Sequence, residues 1–144
     1  MSAQQDIIDA LETLLATILT TGGYNTNAGQ NVYENRSTPL NDTEMPAILF
    51  TYDEDVEADT FQEELHTLTI EFELVAAGAN ARDDVRSIAE DVVTALAVDT
   101  TLSGLADDVE LPREGSLKVE AAEQDYARGS LAMSIQYTTD LYGS

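Results

Sequence analysis

The sequence predicts an α+β fold: one domain over residues 1–144, with an antiparallel or mixed sheet of four to five strands and two main helices packed on one face. Three observations lead to this prediction. Two segments repeat apolar residues at the three- and four-residue spacing of amphipathic helices. Four segments alternate apolar and polar residues, as strands with one buried face do. Hydrophobic residues make up 43% of the chain, which is enough to build a core.

The first helix is predicted from an apolar stripe near the N-terminus. Ser2 and Gln5 match a capping box, and Gly22-Gly23 supplies a stop signal. We therefore expect about four to five turns. The residues facing the core are Ile7, Ile8, Leu11, Leu14, Leu15, Ile18 and Leu19. A long loop over residues 22–45 follows, and it contains one short edge strand at Val32-Tyr33.

From Pro46 onward the apolar period is two, which indicates strands. A long antiparallel hairpin around residues 61–64 is expected to bury one face of each strand. The inward residues are Ile48, Phe50, Tyr52, Val56 and Ala58 on the first strand, and Leu68, Ile70, Phe72 and Leu74 on the second. A closing hairpin, joined near residues 125–129, is expected to bury Leu117, Val119, Ala121, Leu131, Met133, Ile135 and Tyr137.

The second helix is predicted to begin after Asn80, which can cap it, with Asp83 and Asp84 near its positive end. Its two faces differ in polarity, so one face packs on the sheet and the other faces water. The apolar stripe is Val85, Ile88, Ala89, Val92, Val93 and Leu96, and the wet face is Arg82, Arg86, Glu90, Asp91 and Thr94.

Charge is the most unusual property of the composition. The chain carries 28 acidic residues against six basic ones, a formal net charge of −22, and Lys118 is its only lysine. Such a surface has no electrostatic footprint for nucleic acid and is repelled by acidic lipids. No apolar run is long enough to cross a bilayer, and the N-terminus lacks the basic region of a signal peptide. We expect no specific nucleic-acid binding and no membrane association.

The sequence shows no recognisable catalytic or cofactor motif. His66 is the only histidine, and it shares inward parity with Leu68, so we interpret it as a packing residue. The acidic run 53–59 with Glu64 superficially matches a calcium loop, but Ala58 stands where the sharp turn requires glycine. The run is interpreted as the solvated face of a strand. With no cysteine there is no thiolate chemistry. We expect neither enzymatic activity nor a cofactor or metal ion.

Arginine is scarce enough in this chain to be informative. Guanidinium groups suit specific carboxylate pairing, and arginine is enriched at protein interfaces, where lysine is depleted. We hypothesise that Arg36, Arg113 and Arg128 bridge subunits. Intrachain pairing is an equally good explanation for Arg82 and Arg86.

The layout of the chain resembles the tail terminators and related neck proteins of long-tailed phages. The resemblance rests on Met45–Phe50 at the start of a hairpin, on the stretch Ala95–Leu105 in which the second helix ends, and on Tyr126-Ala127-Arg128 before the last strand. The acid-rich, lysine-poor composition is similar to that of proteins from halophilic archaea and their viruses. Together these features suggest a virus of a halophilic archaeon.

The resemblance implies a virion structural protein of the tail-neck region, assembled in the host cytoplasm. It would form a homo-oligomeric ring, typically a hexamer, that caps the tail tube and docks to the head-side connector. Its partners would be the tail tube protein and a neck or connector protein, and DNA would pass through the ring without specific binding. Two alternatives remain open: another neck protein, such as a head-completion or connector protein, and an acidic soluble interaction module of a halophilic cell.

Overall fold

The computed structural model is an α+β domain, and it describes residues 3–34, 40, 42–60, 63–102, 104–113, 117–123 and 126–140. Two α-helices and six strands lie within these ranges. The helices are α1 (Ala3–Leu15) and α2 (Ala81–Val98). The strands are β1 (Val32–Glu34), β2 (Ala47–Thr60), β3 (Glu63–Ala77), β4 (Asp108–Glu110), β5 (Lys118–Glu123) and β6 (Tyr126–Asp140).

The six strands form one mixed sheet in the spatial order β1-β2-β3-β6-β4, and β5 also pairs with β6. β1 is parallel to β2, and the other pairs are antiparallel. The predicted fold class is confirmed, with a strand count slightly above the expected four to five. The additional strand, β4, has three residues, which is too short for alternation to be recognised in the sequence.

The core lies between the two helices and the inner face of the sheet, which is the face that the helices cover. Alternation on β2, β3 and β6 supplies the sheet side of the core, as predicted. Val56 is the exception, because it is 48% exposed although the sequence predicted it on the buried face. The fully buried large side chains include Phe50, Phe72, Ile7, Ile8, Leu11, Leu15, Ile18, Ile48, Leu68, Ile70, Leu74 and Ile88. The outer face of the sheet carries no helix in the described part of the chain.

The three central strands are longer than the helices that cover them. β2, β3 and β6 contain 14, 15 and 15 residues, so each spans roughly 45–50 Å at about 3.3 Å per residue. α2 contains 18 residues and spans about 27 Å at 1.5 Å per residue. The far end of the sheet, near residues 54–58, is therefore built mainly from β2, β3 and β6.

The first helix is shorter than predicted. α1 ends at Leu15, and the following backbone bonds span three residues, from Thr17 N–H to the Leu14 oxygen and from Ile18 N–H to the Leu15 oxygen, both at 3.1 Å. The prediction of four to five turns was wrong because a turn, not a continued helix, brings Ile18 into the core. Threonine, frequent after residue 12, has low helix propensity.

Two predictions about α2 were also wrong. Asn80 precedes the helix, but its side chain makes no capping hydrogen bond. Asp91, which the sequence placed on the wet face, is 2% exposed. Its carboxylate accepts hydrogen bonds from the N–H groups of Asn25 and Thr26 at 3.0 and 2.9 Å, and from the Thr26 hydroxyl at 2.7 Å. The loop after α1 thus packs on the helix face that was expected to be wet.

Candidate functional site

A polar cluster closes the far end of the inner face, where the apolar core stops. Its members are Gln4, Glu54, His66, Tyr137 and Thr139, and we call it the Glu54 cluster. Glu54, His66 and Tyr137 have the same parity as the core residues of their strands, so all three side chains lie on the helix-covered face. Gln4 comes from the first turn of α1. The cluster therefore joins the beginning of the helix to three strands.

Glu54 is the centre of this hydrogen-bond network. Its Oε1 accepts from the Tyr137 hydroxyl and lies 3.0 Å from His66 Nδ1. Its Oε2 accepts from Gln4 Nε2 at 2.9 Å. The side chains of His66 and Glu54 are 13% and 20% exposed, so the carboxylate exchanges most of its water contacts for these donors.

His66 is held on both ring nitrogens and on one ring face. Nε2 lies 2.8 Å from Thr139 Oγ1, opposite the Nδ1 contact with Glu54. The ring stacks on Tyr137 with centroids 4.5 Å apart and planes inclined by 10°. In the neutral tautomer that donates from Nδ1 to the carboxylate, Nε2 accepts from the threonine hydroxyl. His66 is partly buried, as its parity predicted, but it takes part in polar contacts as well as packing.

Tyr137 stays protonated over the physiological range. Burial raises the pKa of its hydroxyl, and the hydrogen bond to Glu54 and the negative charge of that carboxylate raise this pKa further. The phenol is therefore a permanent donor to Glu54. Tyrosine, histidine and glutamate hold one another in fixed positions here.

The order Thr139–His66–Glu54 is that of a hydroxyl, an imidazole and a carboxylate in a nucleophilic triad. A triad also requires room for a substrate beside the hydroxyl. A groove on the opposite face of the sheet contains none of these three side chains. The hydrogen bonds of the cluster suit an anchor that fixes the N-terminal turn of α1 to the end of the sheet.

Removing the central carboxylate tests this anchoring role. Glu54→Ala leaves the donors of Gln4, His66 and Tyr137 without their acceptor, so we expect the free energy of unfolding to fall by about 2–3 kcal/mol. Urea denaturation followed by circular dichroism measures the change. Asp53→Ala is the matched control, since Asp53 directly precedes Glu54 on the same strand and is exposed. The control should change stability by less than about 0.5 kcal/mol.

A second site lies on the outer face, where the sheet forms an open groove of about 590 Å³. Its charged lining residues are Lys118, Arg128, Glu71 and Glu73. Arg128 Nη1 lies 3.3 Å from Glu73 Oε1, and these side chains are 54% and 42% exposed. Among the described residues, no carboxylate lies within ion-pairing distance of Lys118. The only lysine and one of five arginines thus meet in one groove of an acidic protein.

The three arginines of the subunit hypothesis have different environments. Arg128 lines the outer groove. Arg113 is 80% exposed and lies 3.8 Å from Glu110 Oε1, and it is not among the lining residues. Arg36 lies outside the described residues. The structure therefore brings Arg128 together with Lys118, a residue that the sequence did not single out for an interface.

The acidic run after Phe50 belongs to β2, where Asp53, Asp55 and Glu57 are exposed on the outer face. Within the described ranges, no group of three or more histidine, aspartate or glutamate side chains is arranged to hold a metal ion. Neither α1 nor α2 combines the length and apolar composition needed to cross a bilayer. No family model and no curated protein matches this chain.

A third site, a group of acidic side chains, lies where α1 meets the edge of the sheet. Burial raises the pKa of Glu12 above its ordinary value of 4.5, and a hydrogen bond to Glu34 and the charges of Glu34 and Asp9 add to the rise. Burial and Glu34 likewise raise the pKa of the Tyr52 hydroxyl. At neutral pH the Glu12 carboxylate is thus in an unfavourable environment.

Glu12→Gln is expected to stabilise the protein at pH 7 by about 0.5 kcal/mol, because it removes a like-charge contact. A raised pKa in the folded state means that protonation stabilises the fold, and that this stabilisation is lost as pH rises through the folded-state pKa. The advantage of the glutamine variant should therefore shrink as pH falls toward 4.5 and below. Urea denaturation at several pH values measures it. Glu90→Gln, an exposed change on α2, should show no such trend.

Proposed function

We propose that this chain is a virion structural protein that assembles into a ring, typically six-fold, and acts as a tail terminator. In this role it caps the tail tube and offers a docking surface to the head-side connector. The sequence resemblance supports the family, and the acid-rich, lysine-poor composition supports assembly at high salt concentration. Its mechanism is surface complementarity between subunits, without bond chemistry.

The observation that supports assembly best is the outer face of the sheet, which neither α1 nor α2 covers. Domains commonly bury both faces of a mixed sheet or leave one face to water. This face contains a groove lined by Lys118 and Arg128 together with Glu71 and Glu73, in a chain with a formal net charge of −22. The two basic side chains are suited to carboxylates of another copy, and a head-to-tail contact of this kind forms a ring when the rotation between neighbouring copies closes.

The direct test is the oligomeric state in about 2–3 M salt, where the Debye length is about 3 Å or less and self-repulsion between subunits is screened. Negative-stain electron microscopy and light scattering should show rings. Arg128→Glu should raise the concentration at which rings dissociate at least about tenfold. Arg86→Glu, the same charge change on α2, should leave the rings intact. Monomers of the wild-type protein at every concentration would contradict the proposal.

The addition of purified tail tube protein separates a terminator from another neck protein. A terminator should shorten the tubes that the tube protein forms, whereas a head-completion or connector protein should leave their length unchanged.

The second candidate is an acidic interaction module, and the row of exposed carboxylates Asp53, Asp55 and Glu57 on one strand favours it. A module of this kind would remain monomeric in high salt and bind basic proteins. Ring formation would decide against it.

A further inference from the structure

The outer groove has a floor of small side chains between two charged walls. Its floor is the stretch of β6 that carries Ser130 and Ala132, both exposed on the outer face. One wall is β3, because Glu73 pairs with Ser130 and Glu71 pairs with Ala132. The other wall is β5, because Lys118 pairs with Ser130 from the opposite side. The groove is thus acidic along one wall and basic at the other.

Two of the four charges in the groove already form a pair. Arg128 Nη1 lies 3.3 Å from Glu73 Oε1. The other two charges belong to Lys118 and Glu71, and both side chains are exposed. In the register of β5, β6 and β3 they are two strand spacings apart sideways and two residues apart along the strands, so their Cα atoms are separated by about 12 Å. A complementary partner carries an anion and a cation at a similar separation.

The width of the groove favours an extended segment over a helix. β3 and β5 lie on either side of β6, so their backbones are about 9–10 Å apart. The wall side chains narrow this space further. An α-helix with its side chains is about 10–12 Å in diameter and cannot reach the floor between the walls. A single extended segment can.

The chain itself contains a segment with this charge pattern, directly after β4. Glu110 and Arg113 are 70% and 80% exposed. They are three residues apart, which corresponds to at most about 10–11 Å along an extended chain. Pro112 between them is buried, which holds the segment in place, and a proline disfavours helical conformation at the residue before it. The segment therefore presents one anion and one cation to solvent at nearly the required separation.

The contact between these two residues does not compete strongly with a new partner. Arg113 Nη2 lies 3.8 Å from Glu110 Oε1, which is a long distance for an ion pair, and both groups are in contact with water. Exposed pairs of this kind contribute little to stability. Exchanging this contact for opposite charges in a groove is therefore inexpensive.

Other exposed charges of the chain suit the groove less well. The carboxylates exposed on β2 would be attracted by Lys118 but repelled by Glu71, because they bring no cation. The pair of Arg86 with Asp83 carries both signs of charge, but it lies on α2. A helix is too wide for the groove. The segment 110–113 combines both charges with an extended backbone.

We propose that the segment 110–113 of one copy occupies the outer groove of the next copy, with Glu110 beside Lys118 and Arg113 beside Glu71. This inference rests on the proposed function, because it names the surfaces that join neighbouring subunits of the ring. The two surfaces are different, so the contact is head-to-tail, as a ring of more than two copies requires.

Charge exchange tests this pairing in about 2.5 M KCl, where long-range repulsion is screened and charges in direct contact at an interface are screened less. Glu71→Arg and Arg113→Glu should each raise the concentration at which rings dissociate at least about tenfold, measured by light scattering. The double variant restores opposite charges and should return this concentration to within about threefold of the wild-type value. Circular dichroism confirms that each variant folds.

Cross-linking tests the same contact without relying on charge. The natural chain has no cysteine, so introduced thiols are the only ones present. A mixture of the Glu71→Cys and Arg113→Cys proteins should give cross-linked dimers with a short bis-maleimide, whereas either protein alone should not. Arg86→Cys is the matched control for Arg113→Cys, and it should give no dimers with Glu71→Cys.

The results distinguish this inference from the ring itself. Rings that are weakened by Arg128→Glu but not by Glu71→Arg or Arg113→Glu, with no cross-link between the two thiols, would overturn the inference and leave the ring in place. A double variant as weak as the single variants would refute the direct pairing of Glu71 with Arg113. Cross-linked dimers without rings would support the contact and contradict the ring. Monomers at every concentration, without cross-links, would contradict both.

Discussion

Gly29→Ala is expected to reduce the free energy of unfolding by about 3 kcal/mol or more, one of the largest effects of any single methyl group in this protein. A Cβ at this position would lie 2.7, 2.7 and 2.8 Å from the backbone oxygens of Ile18, Leu15 and Ala16. Gly29 N–H also donates to the Ile18 oxygen at 2.9 Å, so the loop approaches the end of α1 closely. The obstacles are backbone atoms, which cannot move without displacing the helix end.

Thermal unfolding in high salt measures this effect, and a loss of that size should lower the Tm by roughly 10 °C. Gly22→Ala is the matched control because its added Cβ would meet nothing closer than 3.5 Å and its backbone is not left-handed. It should change the Tm by no more than about 2 °C. If Gly29→Ala had as small an effect as the control, the loop could not approach the end of α1 as closely as the structure shows.

Asp91→Ala is expected to cost about 3–5 kcal/mol of unfolding free energy. The carboxylate is buried and accepts three hydrogen bonds from Asn25 and Thr26, two of them from backbone N–H groups. Without Asp91 these donors lose an ionised acceptor, and the segment after α1 loses its attachment to α2. Urea denaturation should show a lower midpoint, because the contact between this segment and α2 no longer stabilises the fold.

Two further variants make the Asp91 result specific. Asp91→Asn keeps the size of the side chain and one acceptor oxygen, so it should recover part of the loss and cost about 1–2 kcal/mol. Glu90→Ala removes a neighbouring carboxylate that is exposed, and it should change stability by less than about 0.5 kcal/mol. Equal effects of Asp91→Ala and Glu90→Ala would show that Asp91 is not a buried anchor.

The fold class was predictable because periodicity reports directly on which face of an element is buried. Ile48, Phe50 and Leu68 show this for the sheet, and Val85 and Ile88 show it for α2. The parallel pairing of β1 was not predictable, since it depends on how the chain returns between Glu34 and Ala47. The prediction for Asp91 was wrong because a short side chain at the border of an apolar helical stripe is buried only when another segment packs on it, as the loop at Asn25 and Thr26 does here. Such a loop contact has no local sequence signal.

The Glu54 cluster was only partly predictable. His66 had inward parity, and Glu54 had the same parity between Tyr52 and Val56, so the sequence contained a carboxylate on a face predicted to be apolar. That irregularity was the available signal for a polar partner of the only histidine. The contribution of Gln4 was not accessible, because it depends on where α1 crosses the sheet. The meeting of Lys118 with Arg128 likewise requires the register between β5 and β6.

The position of β6 in the sheet has a consequence for the order of folding. β2 and β3 are joined locally and form a hairpin with short loop closure. β6, in contrast, pairs along its length with β3, although Ala77 and Tyr126 are separated by nearly fifty residues that include α2. Contacts between distant segments slow folding, because the chain loses the entropy of closing the loop before these contacts can stabilise it. During synthesis, the second edge of β3 therefore stays unpaired until residues 126–140 have left the ribosome, and the nascent chain depends on this late strand to complete its core.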